Sequence, residues 1–262
     1  ELPIPKGVKL IHSGVDELDL NKLYKADLAL LGDAKLVLQA MVDAVGSAAK
    51  KRRLGVRRTV TAGVKKLKQE WLAEWKPKLT SEEVPINPYR VTWDLMCAVD
   101  REKTIVLHDS GNSRGQVSHH YESLIPRGYL GMGGQSAMGW SLGAAMGAKL
   151  ARPDLLVVNV MGDGAFGMTG LDIETAVRHE IPFICIIINN RVLGITKLYQ
   201  QRPHMVDLGG DYAKVAEGLG AYGERVEKPT EVIPAIERAK RALEEGKPAV
   251  LDIIIKEEGL PV

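Results

Sequence analysis

Two rhythms of apolar residues alternate along this chain. Short apolar runs that end at glycine, aspartate or asparagine predict buried strands, and apolar residues spaced three and four apart predict helices. The first rhythm gives strands at 8–12 and, with a turn, at 27–33. Leu36, Val37, Ala40, Met41, Ala44 and Val45 then mark a helix over 34–45. From residue 81 the two rhythms alternate steadily. A helix over 88–99 turns Val91, Leu95, Met96 and Val99 inward, and the strand 104–108 ends in the polar loop Asp109-Ser110-Gly111-Asn112-Ser113, a favoured place for substrate contacts. Strands at 155–161 and 183–188 flank a helix that begins near Thr169 and stops before Pro182. After a polar, irregular stretch at 197–205 come a helix over 211–219 and a strand at 224–226. A helix capped by Thr230, with Glu231 in its first turn, ends near Glu245-Gly246, and a last strand covers 249–255. Residues 81–262 therefore predict one α/β domain, a doubly wound parallel sheet. The two strands and one helix of 1–46 cannot close a sheet alone. They read as the C-terminal remnant of a Rossmann-like domain that begins elsewhere, and 47–80 reads as a basic linker and helix.

Composition narrows the classes. With 262 residues, 45% hydrophobic, 26% charged and a net charge of +2, the chain can bury a sizeable core. No apolar run approaches the roughly 20 residues of a membrane span, so no membrane partner is expected. Cys185 sits inside an apolar run and reads as a buried thiol, and Cys97 reads the same way. A reducing cytoplasm is the expected setting. Lys50, Lys51, Arg52, Arg53, Arg57, Arg58, Lys65, Lys66, Lys68, Lys76 and Lys78 face only Glu70 and Glu74. A solvated helix face accounts for them without nucleic acid, because no aromatic platform is interleaved. Trp71 and Trp75, four apart, read as pins for one helix face. Gly139, Gly143 and Gly147 fall four apart in the next helix, and three glycines in register imply close approach of another backbone, from the chain's own sheet or from a second subunit. The glycine string 131–134 is not a dinucleotide fingerprint, since Ser136 stands where its third glycine belongs.

The chemistry concentrates between Gly162-Asp163-Gly164 and Asn189-Asn190. A strand–helix–strand unit brings the two strand ends side by side, where ligands of open α/β sheets bind. An aspartate and an asparagine there can share one hard cation, and the flanking glycines let backbone N–H groups approach a phosphate. Mg²⁺ takes six oxygens in octahedral array, commonly one or two carboxylates plus substrate phosphates. A magnesium diphosphate fits this pattern.

This motif, with its spacing, resembles that of the thiamine-diphosphate-dependent enzymes, most closely the acetolactate synthase large-subunit group. The likeness covers 81–262 as the diphosphate-binding domain and 1–46 as the end of the central Rossmann-like domain. It implies thiamine diphosphate and Mg²⁺ as cofactors, with FAD left open, and decarboxylation and carboligation of 2-keto acids. It also implies that Asp163, Asn190 and the Val192 carbonyl bind the metal, and that Gly162, Gly164, Ala165, Gly194 and Ile195 border the cofactor. Met138, in the stretch Ser136-Ala137-Met138, would lie under the thiazolium ring, with the Ser136 carbonyl and Met138 N–H at the aminopyrimidine edge. The family's activating glutamate belongs to a pyrimidine-binding domain, and nothing in this chain resembles that domain. The expectation is a chain inactive alone, completed by a missing N-terminal segment or a partner chain in a homo- or hetero-oligomer, dimer or tetramer.

The chain also departs from the group. Tyr199 stands where a tryptophan selects the second keto acid, and Ile195 replaces a methionine. Asn112 and Gln116 are further candidates for substrate contact, and the adjacent His119 and His120 read as surface residues. An acyl-CoA lyase of the oxalyl-CoA type and a non-catalytic cofactor-domain subunit stay open as alternatives.

Overall fold

The structure, a computed structural model, describes residues 4, 5, 7–46, 53–133, 136–200 and 202–258. Lys50, Lys51, Arg52 and Gly134, all used in the sequence reading, lie outside the described residues. The chain divides into two compact units, Glu1–Leu72 and Ala73–Val262.

In the first unit, β1 (Ile11–Gly14) and β2 (Leu28–Leu31) pair in parallel, Ile11 opposite Leu28. Helix α1 (Ala34–Val45) follows, its N-terminus capped by Asp33, whose carboxylate accepts from the Lys35 and Leu36 N–H groups at 3.0 and 3.2 Å. None of its residues is buried. The division between units falls within α2 (Arg53–Leu79), a long helix whose Lys66 pairs with Glu70 at 3.7 Å.

In the second unit, α3 (Pro88–Ala98), β3 (Thr104–His108), α4 (Asn112–Ser118), β4 (Tyr129–Leu130), α5 (Trp140–Ala151) and β5 (Leu156–Gly162) lead to α6 (Asp163–Thr169). Then come α7 (Ile173–Arg178), β6 (Ile184–Asn189), α8 (Gly194–Lys197), α9 (Pro203–Val206), α10 (Tyr212–Gly218), β7 (Tyr222–Val226), α11 (Val232–Glu244) and β8 (Ala249–Ile254). The six strands from β3 onward form one sheet in the order β4-β3-β5-β6-β8-β7, every pair parallel. Both faces are covered, so the strands read as continuous apolar runs rather than alternating ones. Ile184, Ile186 and Ile188 of β6 pack with Val91 and Leu95 of α3 and Ile236 and Ala239 of α11. Cys185 and Ile187 point the other way, against Leu142 of α5, Phe166 of α6 and Ile173 of α7. The doubly wound parallel sheet expected from the sequence is the observed fold.

Several local expectations are corrected. The helix after β5 starts at Asp163 rather than near Thr169, and a 3₁₀ turn at Gly170–Asp172 splits it from α7. The glycines and alanine of its first turn carry no apolar period, which hid the true start. Thr230 does not cap α11. It lies inside a 3₁₀ turn, Pro229–Glu231, and Glu231 is the N-cap residue, with no side-chain cap bond. Cys97 is exposed, because α3 turns Val91, Leu95 and Ala98 inward and carries Cys97 to the opposite side. His120 is buried, not a surface residue: its ring packs edge-on against Trp75 and Tyr89, centroids 4.6 and 5.3 Å away, and burial lowers its pKa to about 4. Gly139 is the N-cap of α5 rather than a member of its face, and a Cβ built on Gly143 or Gly147 meets nothing within 4 Å, so packing on the chain's own sheet does not explain those two. The stretch 197–205 is not wholly irregular, since α8 ends and α9 begins within it.

Candidate functional site

From β3 the chain passes outward to β4 and then returns to lay β5 on the other side of β3. Where strand order reverses in this way, the carboxyl ends of neighbouring strands diverge and leave a crevice. A cavity of about 210 Å³ occupies that position. Among the residues expected at the site, Asn112, Gln116, Met138, Gly162, Asp163, Ala165, Asn190, Val192, Gly194 and Ile195 line it. Gly164 stands just behind the wall: a Cβ there would meet Leu193 Cδ2 at 2.5 Å and Met138 Cε at 3.1 Å. Ser136 and Ala137 precede Met138 without lining the cavity, and Tyr199 stands 86% exposed outside the lining. Ser110, Gly111 and Ser113, in the polar loop expected to face substrate, also line it, whereas the sequence reading missed Leu193, Thr196 and two apolar residues at strand ends, Ile188 and Ile255.

Asp163 is the first helical residue after β5 and only 3% exposed. Its Oδ1 accepts from the Gly164 N–H at 2.9 Å, while Oδ2 is buried without a hydrogen-bond partner among the described residues. Burial pushes its pKa up to about 6, against the pull of the Gly164 and Arg191 N–H groups. A buried carboxylate oxygen without a donor is costly, and a cation at the cavity wall would relieve it. Among the described residues no three His, Cys, Asp or Glu side chains gather to hold a metal. Any cation here would therefore draw on amide, carbonyl and ligand oxygens beside this one carboxylate.

The neighbouring wall is a turn built by the two asparagines. Gly162 pairs with Ile188, so the end of β6 lies beside Asp163. Arg191 adopts a left-handed φ of 59°, which few non-glycine residues do. Asn189 Oδ1 accepts from the Arg191 N–H at 3.1 Å and Asn190 Oδ1 from the Val192 N–H at 3.2 Å. Each amide oxygen has two lone pairs, so Asn190 keeps one for a ligand. Asn189 is itself held from behind. Its Nδ2 donates to Asp252 Oδ1 at 2.8 Å, and Asp252 Oδ2 accepts from the Tyr212 N–H at 3.3 Å. Asp252 is fully buried, and desolvation raises its pKa. A carboxylate inside the apolar run of β8 was the one sequence signal that could have found this support.

The opposite wall joins the loop after β3 to the start of α5. Asp109, fully buried, accepts from the N–H groups of Ser110, Gly139 and Ser141 at 2.8, 2.9 and 3.1 Å, and from the Ser141 hydroxyl. Ser110 Oγ donates to the Ser136 carbonyl at 3.0 Å. A Cβ on Gly194 would meet Asn112 Nδ2 at 2.7 Å, so that glycine lets α8 close against α4. The arrangement offers a bare carboxylate and an asparagine turn on one side and an apolar side chain, Met138, on the other. It suits a ligand with an anionic, metal-bound end and a ring end.

Residues 109–253 match the family described as "Thiamine pyrophosphate enzyme, C-terminal TPP binding domain". Among curated relatives, the probable acetolactate synthase large subunit of Methanocaldococcus jannaschii is 32% identical over 97% of this chain and 43% of its own length. The corresponding protein of Methanococcus aeolicus is 29% identical over 94% of this chain and 43% of its own length. Glyoxylate carboligase of Escherichia coli O157:H7 is 28% identical over 96% of this chain and 44% of its own length. The chain thus spans less than half the length of these relatives. With a match over this length, falling on the strands and loops that enclose the cavity, the chain belongs to the thiamine pyrophosphate enzymes, as their C-terminal TPP-binding domain.

Proposed function

We propose that the cavity binds thiamine diphosphate with Mg²⁺ and that the chain supplies the diphosphate-binding half of an acetolactate-synthase-like enzyme. The observation that carries this reading is Asp163, buried at the cavity wall with one oxygen bare beside Asn190. Asp163 Oδ2, the free lone pair of Asn190 and the Val192 carbonyl would hold the metal; Gly164 and Ala165 would border the diphosphate. Met138, Ser136 and Ala137 serve the ring end in this reading, with Gly194 and Ile195 closing the side. Once bound, the cofactor supplies an electron sink for bond cleavage beside a carbonyl. The protein's part is to hold and orient it, and Asn112 and Gln116 face the space left for a 2-keto acid. Tyr199 is proposed as a substrate contact only once a second chain or domain covers it. A pyrimidine-binding domain, on a partner chain or a preceding segment, brings the activating glutamate within an oligomer.

The names of the relatives support acetolactate synthesis, and the carboligase among them makes glyoxylate the second donor to test. The intact Asp163–Asn190 pair speaks against a subunit that only binds partners. The test is calorimetric titration of thiamine diphosphate into the chain with and without Mg²⁺. Saturable, magnesium-dependent binding that Asp163→Asn abolishes is expected; absence of both heat and thermal shift in the unaltered chain refutes the reading. CO₂ release from pyruvate against glyoxylate, measured with the pyrimidine-binding domain present, then chooses the donor.

A further inference from the structure

Asp109 touches none of the groups assigned above to the metal or diphosphate, yet it is the most heavily bonded carboxylate at the cavity. Its own N–H donates to the Val160 carbonyl at 2.9 Å, which fixes it to the sheet. Its donors come from two separate loops: Ser110 after β3, and Gly139 and Ser141 at the start of α5. The carboxylate thus clasps the two loops together and sits at the N-terminus of α5, where negative charge is favoured. The clasp continues on both sides. Ser110 Oγ reaches the Ser136 carbonyl at 3.0 Å, and Thr169 Oγ1 reaches the Gly139 carbonyl at 3.3 Å. Gly139 holds a left-handed φ of 89°, and a Cβ there would strike Thr169 Cγ2 at 2.5 Å. Met138, directly before it, is therefore held in the cavity wall by bonds on either side of its backbone. Asp163 opens α6 and Asn190 follows β6, and their side chains bond to the Gly164 and Val192 N–H groups rather than to members of this network.

We infer that Asp109 is a positioning residue for the ring end of the ligand: it sets Met138 and Ser110 against the thiamine rings and leaves the diphosphate end untouched. This rests on the cofactor reading above. An amide in its place turns one acceptor oxygen into a donor that faces either the Ser110 and Gly139 N–H groups or the Ser141 N–H and hydroxyl. Ser141→Ala removes a single donor and leaves the carboxylate.

The test is titration of the full 262-residue chain, Asp109→Asn and Ser141→Ala with thiamine diphosphate and with inorganic pyrophosphate, each with Mg²⁺. Asp109→Asn is expected to raise the Kd for thiamine diphosphate about tenfold, the effect of losing one bond to a charged group, with the pyrophosphate Kd held within about twofold. Ser141→Ala is expected to move the same ratio about threefold, and it decides the matter if Asp109→Asn does not fold. Equal weakening of both ligands means a purely structural role and overturns the inference, as does no change in either. If the unaltered chain binds thiamine diphosphate and the ratio does not move, only the clasp falls. If the unaltered chain binds neither ligand, the cofactor reading falls and takes the clasp with it.

Discussion

Asp163 and Asp109 stand at the carboxyl ends of neighbouring strands, β5 and β3, and both are buried, at 3% and 0% exposure. Their surroundings differ in one respect. Asp109 receives hydrogen bonds on both oxygens, whereas Asp163 Oδ2 has no partner among the described residues. Burial of a carboxylate is unfavourable unless donors replace the lost water. A saturated carboxylate can be tolerated as framework, and a half-satisfied one marks a place where something else must bind. Asp252 falls on the framework side, with Asn189 and Tyr212 as its donors. The count of donors, rather than burial or position, separates framework from site.

The contrast is tested most strongly by removing each carboxylate from the chain without ligand. Asp109→Ala orphans the buried Gly139 and Ser141 N–H groups together, and is expected to cost about 4 kcal/mol in urea unfolding, since each unmet buried donor costs about 1–3. Asp163→Asn should act in the opposite direction. The native state holds the Asp163 proton up to about pH 6, against an ordinary value of 3.8. Below pH 3.8 both folded and unfolded forms are protonated, and the group costs nothing. Between these values the unfolded chain ionises first, so stability falls as pH rises, by an eventual amount of about 3 kcal/mol. Asp163→Asn is thus expected to stabilise the unliganded chain at pH 8 and to make no difference near pH 3.5. A loss of stability at pH 8 would place Asp163 with Asp109 as framework.

Ligand binding should reverse the same titration. A metal needs the ionised carboxylate, so the affinity for magnesium thiamine diphosphate is expected to be flat above about pH 7 and to fall about tenfold per pH unit below 6. Calorimetry in buffers of differing ionisation heat would register the proton released on binding near pH 5.5. An affinity that stays level down to pH 5 would mean that Asp163 is not a metal ligand.

The sequence announced β5 and β6 almost to the residue, because parallel strands covered on both faces leave unbroken apolar runs. It also announced Asp163 and Asn190, since polar residues that end such runs stand where a crevice forms. What it concealed is of another kind. The bonds from Asp109 to Gly139 and from Asn189 to Asp252 join segments far apart in the chain, and local pattern names no partner: Asp252 interrupts the apolar run of β8 without showing that Asn189 meets it. The two-residue strand β4 is too short to show a period, and the small residues opening α6 carry none. His120 was misplaced because, in the turn after α4, Trp75 and Tyr89 cover it, and Cys97 because α3 turns Val91, Leu95 and Ala98 to the core instead.

Tyr199 carries the smallest expected effect and sharpens the comparison from outside the cavity. It lies just beyond α8, whose Gly194 and Ile195 line the cavity, yet its ring stands 86% exposed and it is absent from the lining. A side chain with so little contact contributes little to stability or to ligand affinity in this chain, because surface substitutions generally fall within about 0.5 kcal/mol. Tyr199→Ala is therefore expected to leave both the urea midpoint and the Kd for magnesium thiamine diphosphate within about twofold. An effect on substrate turnover should emerge only when the pyrimidine-binding domain is added, since covering the exposed ring requires a surface from elsewhere. Should Tyr199→Ala weaken cofactor binding in the chain alone, the segment after α8 must fold over the cavity, and the wall formed by Asn190, Val192 and Gly194 would extend further than the present lining.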